Sequence, residues 1–262
     1  EVSALAKAAL GSAGVSVLTS HRAVRVEEGS LIVEADGAET AVPYDALILA
    51  VGRKARLTGF GLEELGVETD RTVVTDDFLA TKFPNIFAAG DVAGPYQFTH
   101  VSSHQAWFAS VNALFGQFKK FKADYRVIPA VTFLDPEFAR VGLSEREAKE
   151  QGIEYEVTRY DLDDLDRAIT ESETTGFVKV LTPPGKDTIL GATIVSANAG
   201  ELLAEYVLAM KYKIGLNKII GTIHSYPTMA EANKFAAGNW KKANKPEWAM
   251  PWLERYHGWM RG

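Results

Sequence analysis

The segment IHSYPTMAEA, residues 223–232, contains two side chains whose types could carry proton chemistry. Tyr226 stands directly before Pro227, and Glu231 follows Tyr226 by five positions. A phenol can donate a hydrogen bond and a carboxylate can accept one, so the two could form a catalytic pair. The same letters also fit a helix start, because Thr228 and Glu231 have the spacing of a capping box. The residues alone leave both interpretations open.

A second candidate lies where a short apolar segment runs into a glycine and an aspartate. Residues 86–89 are predicted to be a buried strand, and Gly90 and Asp91 follow it directly. Ligands of open α/β sheets bind at the carboxyl ends of strands. Glycine there lets a ligand approach the backbone, and a carboxylate can accept hydrogen bonds from sugar-like hydroxyl groups. The alternative is that Asp91 is only a turn or cap residue before Ala93 and Gly94.

These candidates lie in a chain whose hydrophobic pattern changes near residue 125. Before that point the pattern predicts buried α/β-type strands, helices and a strand meander with an Asp36-Gly37 hairpin turn. The predicted elements are helix 2–10, strand 15–18, meander strands 23–26, 31–34 and 40–42, strand 46–51, strand 86–89 and helix 99–118. Two partial α/β pieces result, and neither contains the turn G-x-G-x-x-G that opens a dinucleotide-binding unit.

After residue 125 the pattern indicates a complete α+β domain. Alternating strands predominate, and Ser144 and Glu147 have the spacing of a capping box at the start of a short helix. The predicted strands are 127–133, 138–142, 154–160, 176–181 and 189–196, followed by an amphipathic helix 200–212 and a last helix after Pro227. The predicted fold class is therefore α/β plus α+β, with the complete domain at the C-terminal side.

Composition and charge exclude several functional classes. The 262 residues carry a net charge of −6 without a Lys/Arg run, which argues against nucleic-acid binding. No apolar run approaches the ~18 residues of a membrane span. The chain has no cysteine, which excludes disulphides and thiolate chemistry within it and leads us to expect a cytoplasmic location. His100 and His104 lie one helical turn apart without a third ligand at suitable spacing, so we predict no metal site.

The segment around Asp91 resembles a known motif. NIFAAGDVAG is similar to the second flavin-binding motif of the pyridine nucleotide-disulphide oxidoreductases, the family of dihydrolipoamide dehydrogenase, glutathione reductase and mercuric reductase. The resemblance implies that Gly90 and Asp91 bind FAD, with Asp91 holding a ribityl hydroxyl. It also implies that backbone groups of Phe98, Thr99 and His100 approach the isoalloxazine ring, at a helix start that suits negative charge.

Further segments resemble the same family in order and spacing. DALILAVGRKAR resembles the strand that closes its NAD(P) domain, which places Val51, Gly52 and Arg53 near the nicotinamide nucleotide. IPAVTFLDPEFARVGLSEREA resembles the opening of its dimerisation domain, and GFVKVL, ILGATIV and AGELLAEYVLAM resemble the body of that domain. The likeness extends to about Trp240 and so covers nearly the whole chain.

The resemblance implies four parts of the chain. Residues 1–58 and 59–124 would be the C-terminal parts of the NAD(P)-binding and FAD-binding domains, both partial Rossmann-like pieces. Residues 125–240 would be a dimerisation domain with an antiparallel sheet, followed by a tryptophan-rich tail, residues 241–262. The family's first FAD motif, redox-active cysteine pair and NAD(P) glycine motif would lie before Glu1. We therefore expect a fragment of a homodimer whose FAD and NAD(P)H sites are incomplete and which is inactive alone.

The resemblance also assigns a role to the segment that contains Tyr226. In disulphide-reducing members this stretch reads His-x-His-Pro-Thr-x-x-Glu, and its second histidine, oriented by the glutamate, acts as acid–base across the dimer. Here His224 and Glu231 match the pattern, but Tyr226 stands at the acid–base position. A histidine with a pKa near ~6.5 can exchange protons at neutral pH, whereas a phenol with a pKa near ~10 cannot act as a base there.

The resemblance implies an FAD-dependent NAD(P)H oxidoreductase, similar to dihydrolipoamide dehydrogenase or mercuric reductase, with His224, Tyr226 and Glu231 at its catalytic site. The acceptor is expected to be a small molecule or small redox substrate other than a simple disulphide. The alternative is a non-catalytic module for dimerisation or assembly. What precedes Glu1 in the reading frame distinguishes the two.

The C-terminal tail is rich in tryptophan. Residues 240–262 contain four of the five tryptophans, and Trp252, Tyr256 and Trp259 share one face of a predicted helix. That face could pack on the dimerisation domain or the partner subunit, or it could contact a membrane surface or another protein. The sequence leaves both interpretations open.

Overall fold

The computed structural model describes all residues from Glu1 to Gly262. The strands are β1 (Arg22–Glu27), β2 (Ser30–Ala35), β3 (Ala38–Pro43), β4 (Pro129–Thr132), β5 (Glu137–Gly142), β6 (Glu156–Asp161), β7 (Phe177–Thr182) and β8 (Gly191–Ser196). The α-helices are α1 (Val2–Ser12), α2 (Thr99–Phe115), α3 (Glu145–Glu150), α4 (Asp166–Glu171), α5 (Ala199–Lys211), α6 (Leu216–Ile220), α7 (Glu231–Ala243) and α8 (Met250–Met260). None of these helices combines the length and the apolar content that a membrane crossing requires.

The chain divides into two compact units. The meander unit consists of Leu18–Tyr125, and the sheet unit consists of Glu1–Val17 together with Arg126–Gly262. The division after Tyr125 lies where the hydrophobic pattern changes. The predicted fourfold division into 1–58, 59–124, 125–240 and 241–262 stays a prediction, and residues 1–17 belong here to the sheet unit.

The sheet unit is built on a five-stranded antiparallel sheet in the order β4-β5-β8-β7-β6. All six residues of β7 are buried, because elements cover both faces of the sheet at its centre. On one face Val178 and Ile194 pack in a core with Leu203 and Tyr206 of α5 and Ala236 of α7. The predicted α+β domain with an antiparallel sheet is thus confirmed.

The opposite face of the same sheet carries a smaller apolar cluster. It consists of Phe138, Phe177 and Val195, and Val2 and Leu5 of α1 pack against it. Residues three and four apart share one side of a helix, which lets α1 present its apolar side chains to this cluster. Helix α1 was predicted from the spacing of its leucines and alanines and is confirmed.

The meander unit begins with the antiparallel sheet β1-β2-β3, as predicted. Asp36 and Gly37 join β2 to β3 with φ angles of 52° and 78°. Positive φ at both central residues is the geometry of a type I′ turn, which matches the twist of the flanking strands. Ala35 therefore pairs directly with Ala38. The long helix predicted for 99–118 forms as α2, which ends at Phe115.

Two predicted strands of the α/β type do not form. Residues 46–51 have no strand structure, and Ile48 and Val51 are 89% and 85% exposed. Residues 15–18 are likewise irregular, and Val15 and Leu18 are about half exposed. A strand needs the backbone hydrogen bonds of a neighbour, and no strand of this chain pairs with either segment. An apolar run predicts burial only where a neighbouring strand is present.

The segment 86–89 is also not a ladder-forming strand. It makes a single antiparallel bridge, between Phe87 and Ala80, and its residues are half-buried. The amide N–H of Ile86 donates to the carbonyl of Phe83, which makes a tight turn around Pro84. The predicted strand is therefore wrong, although the chain still delivers Gly90 and Asp91 to the start of a short 3-10 turn, Gly90–Val92.

Candidate functional site

Tyr226 lies on the surface of the sheet unit and is held by one acidic residue. Its side chain is 71% exposed, and its hydroxyl donates a hydrogen bond to Oδ2 of Asp166 at 2.9 Å. This hydrogen bond raises the pKa of Tyr226, and the charges of Asp166 and Glu231 act in the same direction. The phenol therefore stays protonated at neutral pH and acts as a hydrogen-bond donor.

Glu231 is nearly buried at the first position of α7. One of its carboxylate oxygens accepts a hydrogen bond from the N–H of Thr228 at 3.2 Å, as the capping-box prediction requires. The reciprocal bond is absent, because the N–H of Glu231 donates to the backbone carbonyl of Thr228 at 3.3 Å rather than to its hydroxyl, which itself donates to the carbonyl of Ser225 at 2.7 Å. The helix begins at Glu231 rather than at Thr228, so only half of the predicted capping box forms.

Tyr226 and Glu231 line one small cavity, of about 200 Å³. The cavity walls also contain the aromatic rings of Tyr160 and Phe235, whose centroids are 5.3 Å apart. Burial and the nearby carboxylates, Asp164 foremost among them, raise the pKa of Tyr160 to about 12. The site therefore combines neutral phenols with carboxylates and has a negative potential.

The acidic residues of the cavity come from a segment that sequence reasoning did not select. Asp164 and Asp166 line the cavity and belong to DLDDLD, the link between β6 and α4. Four aspartates in six residues were the signal available in the sequence. Nothing in the sequence indicates that Asp166 meets Tyr226, because sixty positions separate them.

His224 does not line this cavity. Its Nε2 lies 3.0 Å from Oε1 of Glu205 on α5, and its Nδ1 lies 3.1 Å from the carbonyl of Thr222. The histidine side chain is only 7% exposed. Oε2 of the same glutamate also accepts from the side-chain amide of Asn233 at 3.0 Å. His224 is thus part of a polar network that fixes the segment before Tyr226 to α5.

In the meander unit Gly90 is held against α2. Its N–H donates to Oε1 of Gln105 at 2.6 Å, and Nε2 of Gln105 donates to the carbonyl of Gly94 at 2.7 Å. Gly90 has φ +83°, and a Cβ there would lie 3.0 Å from Oγ of Ser102. This position therefore requires glycine. Gln105, which is fully buried and clamps the turn, was missed by sequence reasoning.

Asp91 lies beside Arg53, which the sequence predicts to lie near the nicotinamide nucleotide. Nη1 of Arg53 is 3.4 Å from Oδ2 of Asp91, and both side chains are more than one-third exposed. Nε2 of Gln97 reaches the carbonyl of Arg53 at 3.5 Å. The long, exposed ion pair contributes little stability, so the Asp91 carboxylate keeps its capacity to accept other hydrogen bonds. Val51 and Gly52 precede Arg53 in an exposed irregular segment.

The predicted flavin-edge residues form the start of α2. Phe98 is extended and Thr99 is the first helical residue. The rings of Phe98 and His100 stack with centroids 5.1 Å apart and an interplanar angle of 15°. His104 lies one turn further on, where its ring contacts Phe108 and its Nε2 accepts from the N–H of Asp124 at 3.4 Å. The positive end of the α2 dipole thus lies close to the turn that carries Gly90 and Asp91.

The arrangement fits part of FAD. Gly90 leaves a backbone cradle that a side chain would fill, Asp91 offers a carboxylate for a sugar hydroxyl, and the start of α2 suits negative charge. The sequence contains no G-x-G-x-x-G turn for the pyrophosphate of the cofactor. The residues present therefore fit the ribityl and ring side of FAD.

Comparison with known families assigns the chain. The model of the pyridine nucleotide-disulphide oxidoreductase family matches residues 1–106, and the model of that family's dimerisation domain matches residues 128–237. The chain belongs to this family. The predicted family is thereby confirmed, and the members are FAD-dependent oxidoreductases with a dimerisation domain.

Individual proteins with similar sequences support the same family assignment. The chain is 34% identical over 243 residues to a mercuric reductase of Staphylococcus aureus, covering 90% of this chain and 44% of that protein. It is 36% identical over 190 residues to a dihydrolipoyl dehydrogenase of Chlamydia muridarum, covering 72% and 40%. The chain thus spans less than half the length of these two relatives.

A solved structure has the same fold. The HOCl-induced flavoprotein disulphide reductase RclA of Escherichia coli superimposes with a TM-score of 0.77 at 26% sequence identity. The superposition covers 87% of this chain and 53% of that one. The predicted fold class, partial Rossmann-like pieces followed by an α+β dimerisation domain, is confirmed by this likeness.

Proposed function

We propose that this chain supplies the dimerisation domain and the acceptor-side residues of a homodimeric, FAD-dependent NAD(P)H oxidoreductase whose acceptor is not a simple disulphide. The observation that carries the proposal is the hydrogen bond from Tyr226 to Asp166, at the position of the family's acid–base histidine. A protonated phenol can donate a hydrogen bond but cannot take a proton from a dithiol at neutral pH. Tyr226 would then turn its single O–H from Asp166 to an acceptor and polarise it, Glu231 would help to orient that acceptor, and His224 would hold their segment in place.

The charge of the site supports the same conclusion. Asp164, Asp166 and Glu231 line the cavity beside Tyr226. A site with this negative potential repels anionic acceptors such as glutathione disulphide. It favours acceptors that are neutral or cationic.

The cofactor side of the proposal uses the meander unit. Asp91 would accept a hydrogen bond from a ribityl hydroxyl, Gly90 would let the cofactor approach the backbone, and the α2 start at residues 98–100 would face the ring. Val51, Gly52 and Arg53 would lie near the nicotinamide nucleotide. FAD, when bound, supplies the electron carrier between NAD(P)H and the acceptor. The division of the chain at residues 58, 124 and 240 belongs to this proposal.

The homodimer would form through residues 125–240. Large apolar side chains are exposed there, among them Leu208 and Tyr212 at the end of α5 and Ile223, which is 94% exposed. Exposed apolar patches on a soluble domain mark protein contacts. A partner subunit would cover them.

The test substitutes Tyr226→His in the complete, flavin-loaded protein and measures NAD(P)H-dependent reduction of lipoamide and of glutathione disulphide. We expect slow turnover by the unaltered protein and about a hundredfold increase for the histidine variant, because general acid–base catalysis contributes that order of rate. Tyr226→Phe is the matched control, since it removes the hydroxyl without adding a base. Flavin absorbance and molecular mass are recorded for each variant, so that loss of folding is recognised.

Fast disulphide reduction by the unaltered protein would contradict the proposal. So would a Tyr226→His variant that binds flavin normally but gains no disulphide reductase activity. Absence of flavin in the complete protein would instead favour the assembly module.

A further inference from the structure

The C-terminal helix α8 buries none of its side chains. Trp252 and Trp259 on this helix are 65% and 77% exposed. Trp248, just before the helix, is 84% exposed. Trp240 is buried in the core of the sheet unit, but the three tryptophans of residues 241–262 are not buried on their own chain, and these aromatic side chains are left for another surface.

These aromatic side chains form one continuous face. The rings of Trp252 and Tyr256 stack with centroids 5.9 Å apart and an interplanar angle of 8°, and Tyr256 lies 6.4 Å from Trp259. At about 100° of rotation per residue the three project within roughly 60° of each other around the helix. Glu254 and Arg261 fall on the opposite side by the same rotation. We call Trp252, Tyr256 and Trp259 the aromatic face.

The charge of the tail differs from that of the rest of the chain. Residues 241–262 contain five Lys or Arg and two Glu, a net charge of +3. Since the whole chain carries −6, residues 1–240 carry −9. An anionic surface would attract the tail and repel the remainder, which selects the tail as the contact.

We propose that α8 is an interfacial helix that binds the surface of an anionic lipid bilayer through the aromatic face. Tryptophan and tyrosine combine an apolar ring with a polar group and favour the boundary between headgroups and acyl chains. With 11 residues α8 is too short to cross a bilayer, for which about 20 are needed, so it would lie parallel to the surface. The proposal does not depend on the oxidoreductase function.

The test measures sedimentation of the whole chain with unilamellar vesicles. One preparation contains about 30% phosphatidylglycerol in phosphatidylcholine, and the other contains phosphatidylcholine alone. We expect binding to the anionic vesicles, weakened by sodium chloride at about 0.5 M, and much weaker binding to the neutral ones. A blue shift of tryptophan fluorescence on binding reports burial of the rings.

Three variants examine the two parts of the proposal. Trp252→Ala/Tyr256→Ala/Trp259→Ala should lower the partition coefficient at least about tenfold, because it removes the apolar contact. Lys245→Gln/Arg255→Gln/Arg261→Gln should lower binding to anionic vesicles about a hundredfold and leave the weak binding to neutral vesicles unchanged. Trp107→Ala is the matched control and should bind normally, since Trp107 is 69% exposed but lies on α2.

Loss of folding can be distinguished from loss of membrane binding. Since α8 buries no side chain, its variants should retain the thermal unfolding profile of the parent chain. Failure of the unaltered chain to sediment with anionic vesicles would overturn the proposal. Equal binding by the aromatic triple variant would do so as well. A change in the mass of the triple variant by light scattering without lipid would assign the aromatic face to a protein contact instead.

Discussion

Replacing Gln105 by leucine should loosen the turn that presents Gly90 and Asp91. Gln105 is fully buried, and its side-chain amide accepts from the N–H of Gly90 and donates to the carbonyl of Gly94 and the hydroxyl of Tyr125. Leucine has a similar size but cannot form any of these hydrogen bonds. Two buried backbone groups of the turn would lose their partners.

The magnitude follows from those two groups. Gly90 and Gly94 are both buried, so water does not replace the lost partners. Each unsatisfied buried group costs about 1–3 kcal/mol, and burying leucine in place of an amide returns part of this. We expect the free energy of opening of the turn to fall by about 2–4 kcal/mol, which makes the open form about thirtyfold to a thousandfold more populated.

Hydrogen exchange measured by mass spectrometry is the appropriate assay, because it resolves local opening within a two-unit chain. Peptides that cover Gly90 and the first half of α2 should exchange faster in Gln105→Leu, whereas peptides from β7 and β8 should be unchanged. Gln117→Leu is the matched control, since Gln117 is an exposed glutamine just after α2. If the peptide that covers Gly90 exchanges at the same rate in Gln105→Leu and Gln117→Leu, the clamp assigned to Gln105 is wrong.

Two further predictions concern the sheet unit. Arg140 foremost, and then the backbone and hydroxyl of Ser144, lower the pKa of Glu147 from 4.5 to about 2. The ionised form of Glu147 therefore stabilises the fold above pH ~5 by about 1–2 kcal/mol, a value that allows for solvent screening of the half-exposed Arg140. This stabilisation is lost as the pH falls towards ~2. Urea unfolding of Glu147→Gln should therefore show a deficit at neutral pH that vanishes near pH ~2, whereas Glu150→Gln, whose exposed pair with Arg146 is 3.8 Å long, should change little. Light scattering of the unaltered chain should give a dimer of twice the chain mass of 28.6 kDa. The variant Leu208→Glu, which places a charge in the proposed interface, should give the monomer mass. An unaltered chain that is monomeric at all concentrations would refute the proposed interface.

The sheet unit could be predicted from the sequence because its strands find their partners within the chain. Segments such as 177–182 and 191–196 combine β-branched residues with bounding turns, and they pair with each other in the structure. The Asp36-Gly37 turn was predictable because few residue pairs accept positive φ at both positions. In these strands and in this turn, the structure that the local sequence favours is also the one that the neighbouring segments can pair with.

Elsewhere the local pattern was insufficient. The run 46–51 is as apolar as a buried strand, but strand formation depends on a neighbour that the pattern does not encode. Contacts between distant positions were also beyond reach, since Gln105 meets Gly90 and Asp166 meets Tyr226 only after the chain has folded. In each case the family motif contained one residue of the pair, Gly90 or Tyr226, and the structure supplied its partner.

The exposed segment 46–51 has a consequence for handling the chain. Six consecutive apolar residues with no proline or charge, and with unpaired backbone groups, form a template on which another extended chain can add as a strand. In a parallel, in-register stack Asp45 would lie beside Asp45 and Arg53 beside Arg53, so the charges on either side of the run oppose stacking in that register. High salt should therefore favour association of the chain in this parallel register, because it screens the repulsion between the like charges.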